Sequence, residues 1–259
     1  MEKDRAPHRA EPAERDRLID ALGDSPETVI SVHLLAQGLC DAYVAGDPEH
    51  FRGLIVHSHQ DRGEPIAFGA NAQALWELLK MARGWWCVNI SEACAPRLGS
   101  IVVKETGRAV RYYADVHHTL TRPAVPFEHE AVRLLTFADL AMLDSAAAEV
   151  RGGFGWASGE HMLEEGIVAG AVIEGRLVAI AYTSAHSRKH ADIGVTTLKQ
   201  WRSLGLATAA ASLVARQVQE RRQVPVWSCG EHNYASLRVA HKLGFAEVLR
   251  RVYVIPQGW

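Results

Sequence analysis

The stretch Arg202-Ser203-Leu204-Gly205-Leu206-Ala207 lies between a predicted strand, ADIGVTTL, and an alanine-rich predicted helix, LATAAASLVARQV. The first backbone N–H groups of a helix have no partner within that helix, and they lie at the positive end of its dipole. Gly205 and Ala207 have little side-chain bulk, so a phosphate group could approach these N–H groups closely. The pattern R-x-x-G-x-A at this place therefore predicts an anion-binding helix start.

Two other phosphate-binding motifs do not fit this stretch. The P-loop requires a lysine and a hydroxyl residue at the helix start, and neither a lysine nor a second glycine stands at that spacing. The dinucleotide fingerprint requires three glycines, of which Gly205 alone is present. ATP and NAD are therefore disfavoured as ligands.

A second polar segment, Asn233-Tyr234-Ala235-Ser236, leads into LRVAHKLGF. Together with the R-x-x-G-x-A stretch, it resembles the coenzyme-binding signatures of the GNAT superfamily of acyl-CoA-dependent N-acyltransferases. Trp201-Arg202 matches the aromatic-Arg pair of that family, whereas Lys199 stands where a proline is usual. The resemblance covers roughly residues 130 to 256 in the family's order of elements. It implies an α/β fold with a mixed sheet, in which the fourth and fifth strands splay apart around the coenzyme.

The resemblance also implies acetyl-CoA as the co-substrate and indicates where it would bind. Pantetheine would run along ADIGVTTL through strand-like hydrogen bonds, and the pyrophosphate would bind the N–H groups from Ser203 to Thr208. The implied coenzyme-binding residues are Val195, Thr196, Thr197, Arg202, Ser203, Leu204, Gly205, Leu206, Ala207, Thr208, Asn233 and Ser236.

Acetyl transfer requires the acceptor amine in its neutral form, although a free alkylammonium has a pKa of about 10. A carboxylate, or a water leading to one, must accept the proton. The resemblance places such carboxylates near the fourth strand and in the helix pair before it. Asp192 is the best candidate base on the strand, although a strand-edge Asp is also a common turn residue. Glu160, Glu164 and Glu165 of SGEHMLEEG are candidates for contacts with the acceptor, although such a set is also typical of a solvated helix face.

The acid that usually protonates the leaving thiolate in this family, a tyrosine, is replaced here by Ala240. Ser236 or a water is the implied substitute, although a thiol pKa of about 8.5 makes the thiolate a tolerable leaving group without an acid. A backbone N–H at a bulge near residues 195–197 would stabilise the oxyanion. Phe154 and Trp156, in a glycine-rich bend, are expected either to line the acceptor pocket or to pack in the core.

The chain is predicted to contain four segments: a flexible leader over 1–25, a smaller α/β domain over 26–122 that resembles a degenerate GNAT half, a linker over 123–130 and the GNAT domain over 131–259. The smaller domain lacks R-x-x-G-x-[GA] in the right place, so it is not expected to bind coenzyme. It would complete the sheet, shape the acceptor pocket or mediate dimerisation. Helices are predicted for ETVISVHLLAQGLCDAYVAG and for VRLLTFADLAMLDSAAAEVRG.

The composition excludes several classes of function. With 48% hydrophobic and 22% charged residues, the 259-residue chain resembles an ordinary globular protein, and its net charge of -2 gives no basic face for nucleic acid. No apolar run of about 18 residues is present, and MEKDRAPHRAEPAERDRLID is too charged for a signal peptide. We therefore expect a soluble cytoplasmic protein that does not act at a membrane. The four cysteines show neither a CxxC pair nor metal-ligand spacing, so neither a disulfide framework nor a metal site is expected.

The sequence thus predicts an enzyme that transfers an acetyl group from acetyl-CoA directly to an amine, without a covalent enzyme intermediate. An aminoglycoside or polyamine would suit the acidic helix residues, and a peptide or amino acid is the other option. Homodimerisation also stays open. The alternative from another class is a non-catalytic acyl-CoA-binding module, which the missing tyrosine slightly favours.

Overall fold

The computed structural model describes residues 5–258. These residues divide into two compact units. The first unit contains the described residues up to Gly23, Ser31–Val116, and the chain from Leu249 onward. The second unit contains Asp24–Ile30 and His117–Val248. None of the helices within the described range combines the length and the hydropathy that a membrane span requires.

Helices and strands alternate along most of the chain. From the start through the sixth strand they are β1 (His8–Arg9), α1 (Arg15–Leu22), α2 (Val29–Gln37), β2 (Cys40–Ala45), β3 (Gly53–Ser58), β4 (Ile66–Phe68), α3 (Ala72–Met81), β5 (Val88–Ser91), α4 (Ala95–Thr106) and β6 (Val110–Thr119). The later elements are β7 (Val132–Leu134), α5 (Leu140–Ser145), α6 (Gly159–Glu165), β8 (Val168–Ile173), β9 (Arg176–His186), β10 (His190–Thr197), α7 (Leu206–Glu220), β11 (Val224–Gly230), α8 (Tyr234–Leu243) and β12 (Ala246–Pro256).

In the first unit, the strand order is β1-β2-β3-β4-β5-β12-β6. Its neighbouring strands pair antiparallel from β1 to β4, whereas β4 and β5 are parallel. The helices α3 and α4 supply Leu75 and Leu98 to a core that also contains Ile90 of β5 and Val252 of β12. Because β12 pairs with β5, the end of the chain belongs to this unit and not to the one that precedes it in sequence.

In the second unit, to which only the last residues of β6 belong, from His117, the strand order is β6-β11-β10-β9-β8-β7. The helix α7 packs against this sheet through small and branched residues, among them Ala210, Ala211 and Val214, which are fully buried. The facing strands also contribute small residues, such as Ala181 and Ala191. Small side chains on both sides allow the helix to lie close to the sheet, which fixes the position of the helix start.

Two predicted elements differ from the structure. The helix predicted over ETVISVHLLAQGLCDAYVAG ends at Gln37, and β2 occupies Cys40–Ala45. Gly38, with φ of 67°, turns the chain between them. Every residue of β2 is buried, the charged Asp41 among them, so the strand lacks the alternation of buried and exposed positions that would distinguish it from a helix. The second helix was predicted over a segment that instead begins with the short strand β7, which pairs with β8.

The prediction of a flexible leader over residues 1–25 is wrong for residues 5–25, which the structure describes. Residues 1–4 lie outside the described range, but His8 pairs with Val44 in the sheet, and Leu18 of α1 is completely buried. Leu18 is the one buried apolar residue in the described part of this segment, and Glu14 is buried too, so the segment has the composition of a polar leader although its described residues up to Gly23 are part of the first unit. The domain bounds 26–122 and 131–259 stay predictions, and the linker 123–130 contains neither helix nor strand.

Candidate functional site

The strands β10 and β11 separate within the second unit. In the described residues their parallel pairing joins His190, Ala191 and Asp192 to residues 224–226, whereas β10 stays paired with β9 as far as Thr197. The second half of β10 therefore has a free edge towards β11. This is the splayed pair that the sequence resemblance implies.

A cleft of about 610 Å³ lies between the free half of β10, the start of α7 and one face of α8. Its lining residues are Val195, Thr196, Thr197, Trp201, Arg202, Ser203, Gly205, Leu206, Ala207, Thr208, Asn233, Ala235, Ser236, Arg238, Val239 and Lys242. The set includes every residue predicted to bind coenzyme except Leu204, whose side chain is 53% exposed outside the cleft. The structure therefore gathers two distant sequence motifs on one surface.

The start of α7 carries no side-chain cap. Gly205 is the N-cap residue with φ of 84°, and Ser203 two residues earlier also has a positive φ, of 65°. The first helical hydrogen bond runs from the Ala209 N–H to the Gly205 carbonyl, at 3.0 Å. The N–H groups of the first helical turn before Ala209 consequently have no carbonyl within the helix to bind. A Cβ at Gly205 would meet nothing within 4 Å, so the backbone conformation and not the available space favours glycine there.

One polar atom at the cleft lacks a partner. The Oγ1 atom of Thr197 is buried and makes no hydrogen bond within the described residues. A buried hydroxyl without a partner costs roughly 1 to 3 kcal/mol, and an amide-bearing ligand that lies along β10 would supply the missing hydrogen bond. Arg202, Arg238 and Lys242 line the same cleft, and no carboxylate does among its described lining residues. The donor set therefore fits an elongated ligand with amides and several phosphate charges, as in coenzyme A.

The start of α8 holds Ser236 in a defined orientation. Asn233 caps the helix by accepting a hydrogen bond from the Ser236 N–H at 3.2 Å. The indole Nε1 of Trp227 donates to Ser236 Oγ at 2.9 Å. Because an indole N–H can only donate, the hydroxyl hydrogen of Ser236 remains available for an acceptor in the cleft. Asn233 thus acts first as a helix cap, and Ser236 can act as a hydrogen-bond donor.

Asp192 lies where the pairing of β10 with β11 ends. Its side chain is 5% exposed, and its carboxylate accepts hydrogen bonds from Ser184 Oγ and from Ser228 Oγ, the latter at 3.2 Å. The register of β9 and β10 shifts between Asp192 and Ile193. The bulge expected near residues 195–197 is therefore found earlier, at the point where the strand begins to leave β11.

The sequence analysis missed the two serines that contact Asp192 and the buried Tyr182, whose pKa the charge of Asp192 affects. Tyr182 pairs with Gly194, and a Cβ on that glycine would lie 3.2 Å from the tyrosine ring. Burial raises the pKa of Tyr182 to about 12, a hydrogen bond with the Phe154 backbone acts against this rise, and the charge of Asp192 adds to it. Tyr182 and Ser184 are two residues apart on β9 and so share a face, which is a visible but weak signal in the sequence.

The residues predicted to contact the acceptor do not line this cleft. Glu160, Glu164 and Glu165 of α6 are exposed, and Phe154 is half-buried. Trp156 is 1% exposed, and its Nε1 donates to the Thr183 carbonyl at 2.7 Å. Its ring also stacks on His186, with centroids 5.6 Å apart. Trp156 is therefore a core residue, so the second of the two expectations for it applies, and it does not line an acceptor pocket.

We expect Trp156→Phe to lower the free energy of unfolding by roughly 2 to 4 kcal/mol, since it removes ring volume and leaves the buried Thr183 carbonyl without its donor. Urea denaturation would measure this loss. Trp76→Phe is the matched control, because Trp76 is also buried but its Nε1 makes no hydrogen bond within the described residues. Equal losses in the two variants would contradict the role of the Thr183 hydrogen bond.

In the first unit, side chains of the protein occupy the places that correspond to the helix start and to the gap between two strands in the second unit. The helix α3 is capped by Asn71, whose side chain accepts from the Ala74 N–H at 3.0 Å. Arg251 is fully buried and donates to the carbonyls of Ala67 in β4 and Asn89 in β5, at 2.7 and 3.2 Å. Its guanidinium also lies 4.7 Å from the centre of the Phe68 ring. A ligand could not occupy either place without displacing these groups.

The comparisons with known proteins point to one family. Residues 153–252 match the GNAT acetyltransferase family. The uncharacterized N-acetyltransferase YdfB of Bacillus subtilis (strain 168) is 37% identical over 81 residues, which is 30% of this chain and 30% of that protein. The aligned segment thus spans less than a third of the relative's length.

Solved structures resemble the chain over a longer range. A GCN5-related N-acetyltransferase-like protein from Streptococcus suis 89/1591 is similar with a TM-score of 0.69 and 21% identity, over 96% of this chain and all of that one. A tandem GNAT protein from the clavulanic acid biosynthesis pathway gives a TM-score of 0.57 and 16% identity, over 98% of both chains. These likenesses concern the fold, and they confirm the predicted fold class, including a GNAT-like first half.

Proposed function

We propose, from the match of residues 153–252 to the GNAT acetyltransferase family, that this chain transfers an acetyl group from acetyl-CoA directly to an amine. The observation that carries the proposal is the cleft beside β10. It combines an uncapped helix start with three cationic side chains, and one of its lining residues, Thr197, has a buried hydroxyl without a partner in the described residues. A soluble thioester with amides and phosphates is the acyl donor that matches this donor set.

Different residues around the cleft bind different parts of the acyl donor. The free edge of β10 over residues 195–197 offers backbone hydrogen bonds and the Thr197 hydroxyl to the pantetheine arm. The N–H groups after Gly205, with Arg202 beside them, hold the pyrophosphate. Acetyl-CoA supplies the activated acyl group as a thioester. The enzyme's own part is to bring the thioester and the amine together at the end of the β10–β11 pairing.

Asp192 accepts the proton that the amine must lose. Its buried carboxylate is held by Ser184 and Ser228, and Ser228 can pass a proton because a hydroxyl both accepts and donates. On the other side of the reacting centre, Ser236 donates its hydrogen to the departing thiolate. Neither step requires a covalent bond to the enzyme, so the reaction proceeds in a ternary complex.

The acceptor is an amine of the aminoglycoside or polyamine type, or a peptide amine. Support for a polycationic acceptor comes from α6, on which Glu160, Glu164 and Glu165 are exposed. Carboxylates of this kind attract a cation and raise the rate of encounter without fixing its identity.

One coenzyme is expected to bind each chain. The second unit contains the open cleft, whereas Asn71 and Arg251 occupy the corresponding places of the first unit. Titration calorimetry with CoA should give a stoichiometry near one. The Asn71→Gly variant should retain that stoichiometry, because Arg251 still bridges β4 and β5. A value near two for the wild-type protein would contradict the difference between the units.

The proposal is tested by the release of CoA thiol from acetyl-CoA across a panel of aminoglycosides, polyamines, amino acids and short peptides. Saturable, acceptor-dependent release with one class supports the enzyme and identifies its substrate. The second candidate, a non-catalytic acyl-CoA-binding module, is favoured by the fully buried Ala240 at the place of the usual tyrosine. Tight CoA binding with no release for any class would support that module.

A further inference from the structure

Two of the cationic residues that line the cleft, both on α8, are not assigned to a particular group of the coenzyme in the binding scheme given above. Arg238 and Lys242 are four residues apart and therefore project from the same side of the helix. Both line the cleft, as does the start of α7. Both are exposed, and neither forms an ion pair with any residue between 5 and 258.

This placement is unfavourable for the isolated helix. Like charges at positions i and i+4 repel one another, and no carboxylate lies beside them among the described lining residues of the cleft. A cation in the last helical turn interacts favourably with the helix dipole, which accounts for Lys242 but not for Arg238, the fifth residue of α8. The pair is therefore better explained by an anionic ligand than by helix stability.

We propose that Arg238 and Lys242 bind the 3′-phosphate of the coenzyme, so that the enzyme distinguishes CoA from 3′-dephospho-CoA. The inference rests on the proposed function. Coenzyme A carries a pyrophosphate and, separately, a phosphate monoester with a charge of about -1.5 to -2 at neutral pH. The cleft likewise has two separate positive centres, one at the start of α7 with Arg202 and one on α8.

The residue types suit a phosphate monoester. The Arg238 guanidinium can donate two parallel hydrogen bonds to phosphate oxygens, and the Lys242 ammonium adds a compact charge. Because both side chains are exposed, solvent weakens each contact. We therefore expect CoA to bind roughly threefold to tenfold more tightly than 3′-dephospho-CoA at low ionic strength, with the ratio falling as salt is added.

Titration calorimetry with CoA and with 3′-dephospho-CoA tests the subsite without reference to turnover. In the Arg238→Gln/Lys242→Gln variant, affinity for CoA should fall to that for 3′-dephospho-CoA, while affinity for 3′-dephospho-CoA should stay as in the wild type. The matched control is Arg188→Gln/Lys189→Gln, which removes the same two charge types from the exposed turn between β9 and β10. That control should retain the wild-type preference.

The other outcomes overturn the assignment. Equal affinities of the wild-type protein for the two ligands would show that no residue recognises the 3′-phosphate. An equal loss of affinity for both ligands in the α8 variant would place the pair at the pyrophosphate or in the general field of the cleft. If neither ligand binds the wild-type protein, the proposed function itself fails, which separates that failure from failure of the subsite.

Discussion

Replacing Asp192 with Asn should lower kcat by about 10²- to 10⁴-fold, the range that a positioned general base contributes. The carboxylate lies at the end of the β10–β11 pairing and accepts hydrogen bonds from Ser184 and Ser228. Asn is nearly the same size, and its amide can still meet both hydroxyls because a serine hydroxyl can reverse its role. The variant should therefore fold and bind CoA as the wild type does, while it can no longer accept the proton.

The pH dependence gives a second readout for Asp192. Without the base, turnover depends on the fraction of amine that is already neutral in solution. Below an amine pKa of about 10, that fraction rises about tenfold per pH unit, so the activity of Asp192→Asn should rise steeply towards alkaline pH. Rates measured between neutral and alkaline pH would show this rise, in contrast to the wild type. A variant with the wild-type rate and pH profile would remove Asp192 from the chemistry.

Asp24→Asn is the matched control for the loss of a hydrogen-bonded carboxylate in the second unit. Burial acts to raise the pKa of Asp24, but hydrogen bonds from His190, Ser187 and the Lys189 N–H outweigh it and hold the pKa below its usual value. This carboxylate does not line the cleft. The control should therefore lose stability at neutral pH while it keeps the wild-type kcat.

Ala207→Glu should weaken the binding of CoA by at least about 100-fold. Ala207 is the second residue of α7 and lines the cleft, so a carboxylate there would take the place of the phosphates and repel them. A negative charge in the first turn of a helix also stabilises that helix by roughly 0.3 to 1 kcal/mol. The thermal midpoint without ligand should consequently stay the same or rise, which distinguishes a blocked site from a damaged fold.

Ala207→Gln separates bulk from charge in this experiment. Glutamine has the size of glutamate without its charge, so it should weaken CoA binding by only about tenfold through crowding. Calorimetric titrations of both variants with CoA would measure the difference. Identical affinities for the two variants would contradict an anion site at the start of α7.

Most residues that line the cleft could be predicted because the motifs that carry them are local. Arg202 to Thr208 lie in one segment that runs from the end of a strand into a helix. Gly205 and Ala207 are small, so a phosphate can approach the backbone N–H groups there. The position of Arg238 and Lys242 at the cleft could not be predicted, because it depends on how segments that are distant in sequence pack together. The spacing of these two residues is visible in the sequence, but only the position of α8 beside the cleft shows what they face.

The surroundings of Asp192 and the packing of the core were harder to predict. Asp192 has its partners on two other strands, and no sequence spacing places Ser184 and Ser228 beside it. Trp156 could not be assigned from type alone, because an aromatic residue after glycines suits a pocket and a core equally. Its hydrogen bond to the Thr183 carbonyl decides the matter, and that contact depends on how the bend folds onto β9.

The most direct test of the account is the acceptor-dependent release of CoA from acetyl-CoA by the wild-type protein and by Ala207→Glu, measured side by side with a thiol reagent. The account predicts saturable release with one class of amine for the wild type and its loss in the variant at the same acetyl-CoA concentration. Release by Ala207→Glu at the wild-type rate would contradict the cleft as the donor site. Absence of release with every amine, from a wild-type sample that binds CoA, would contradict acetyl transfer.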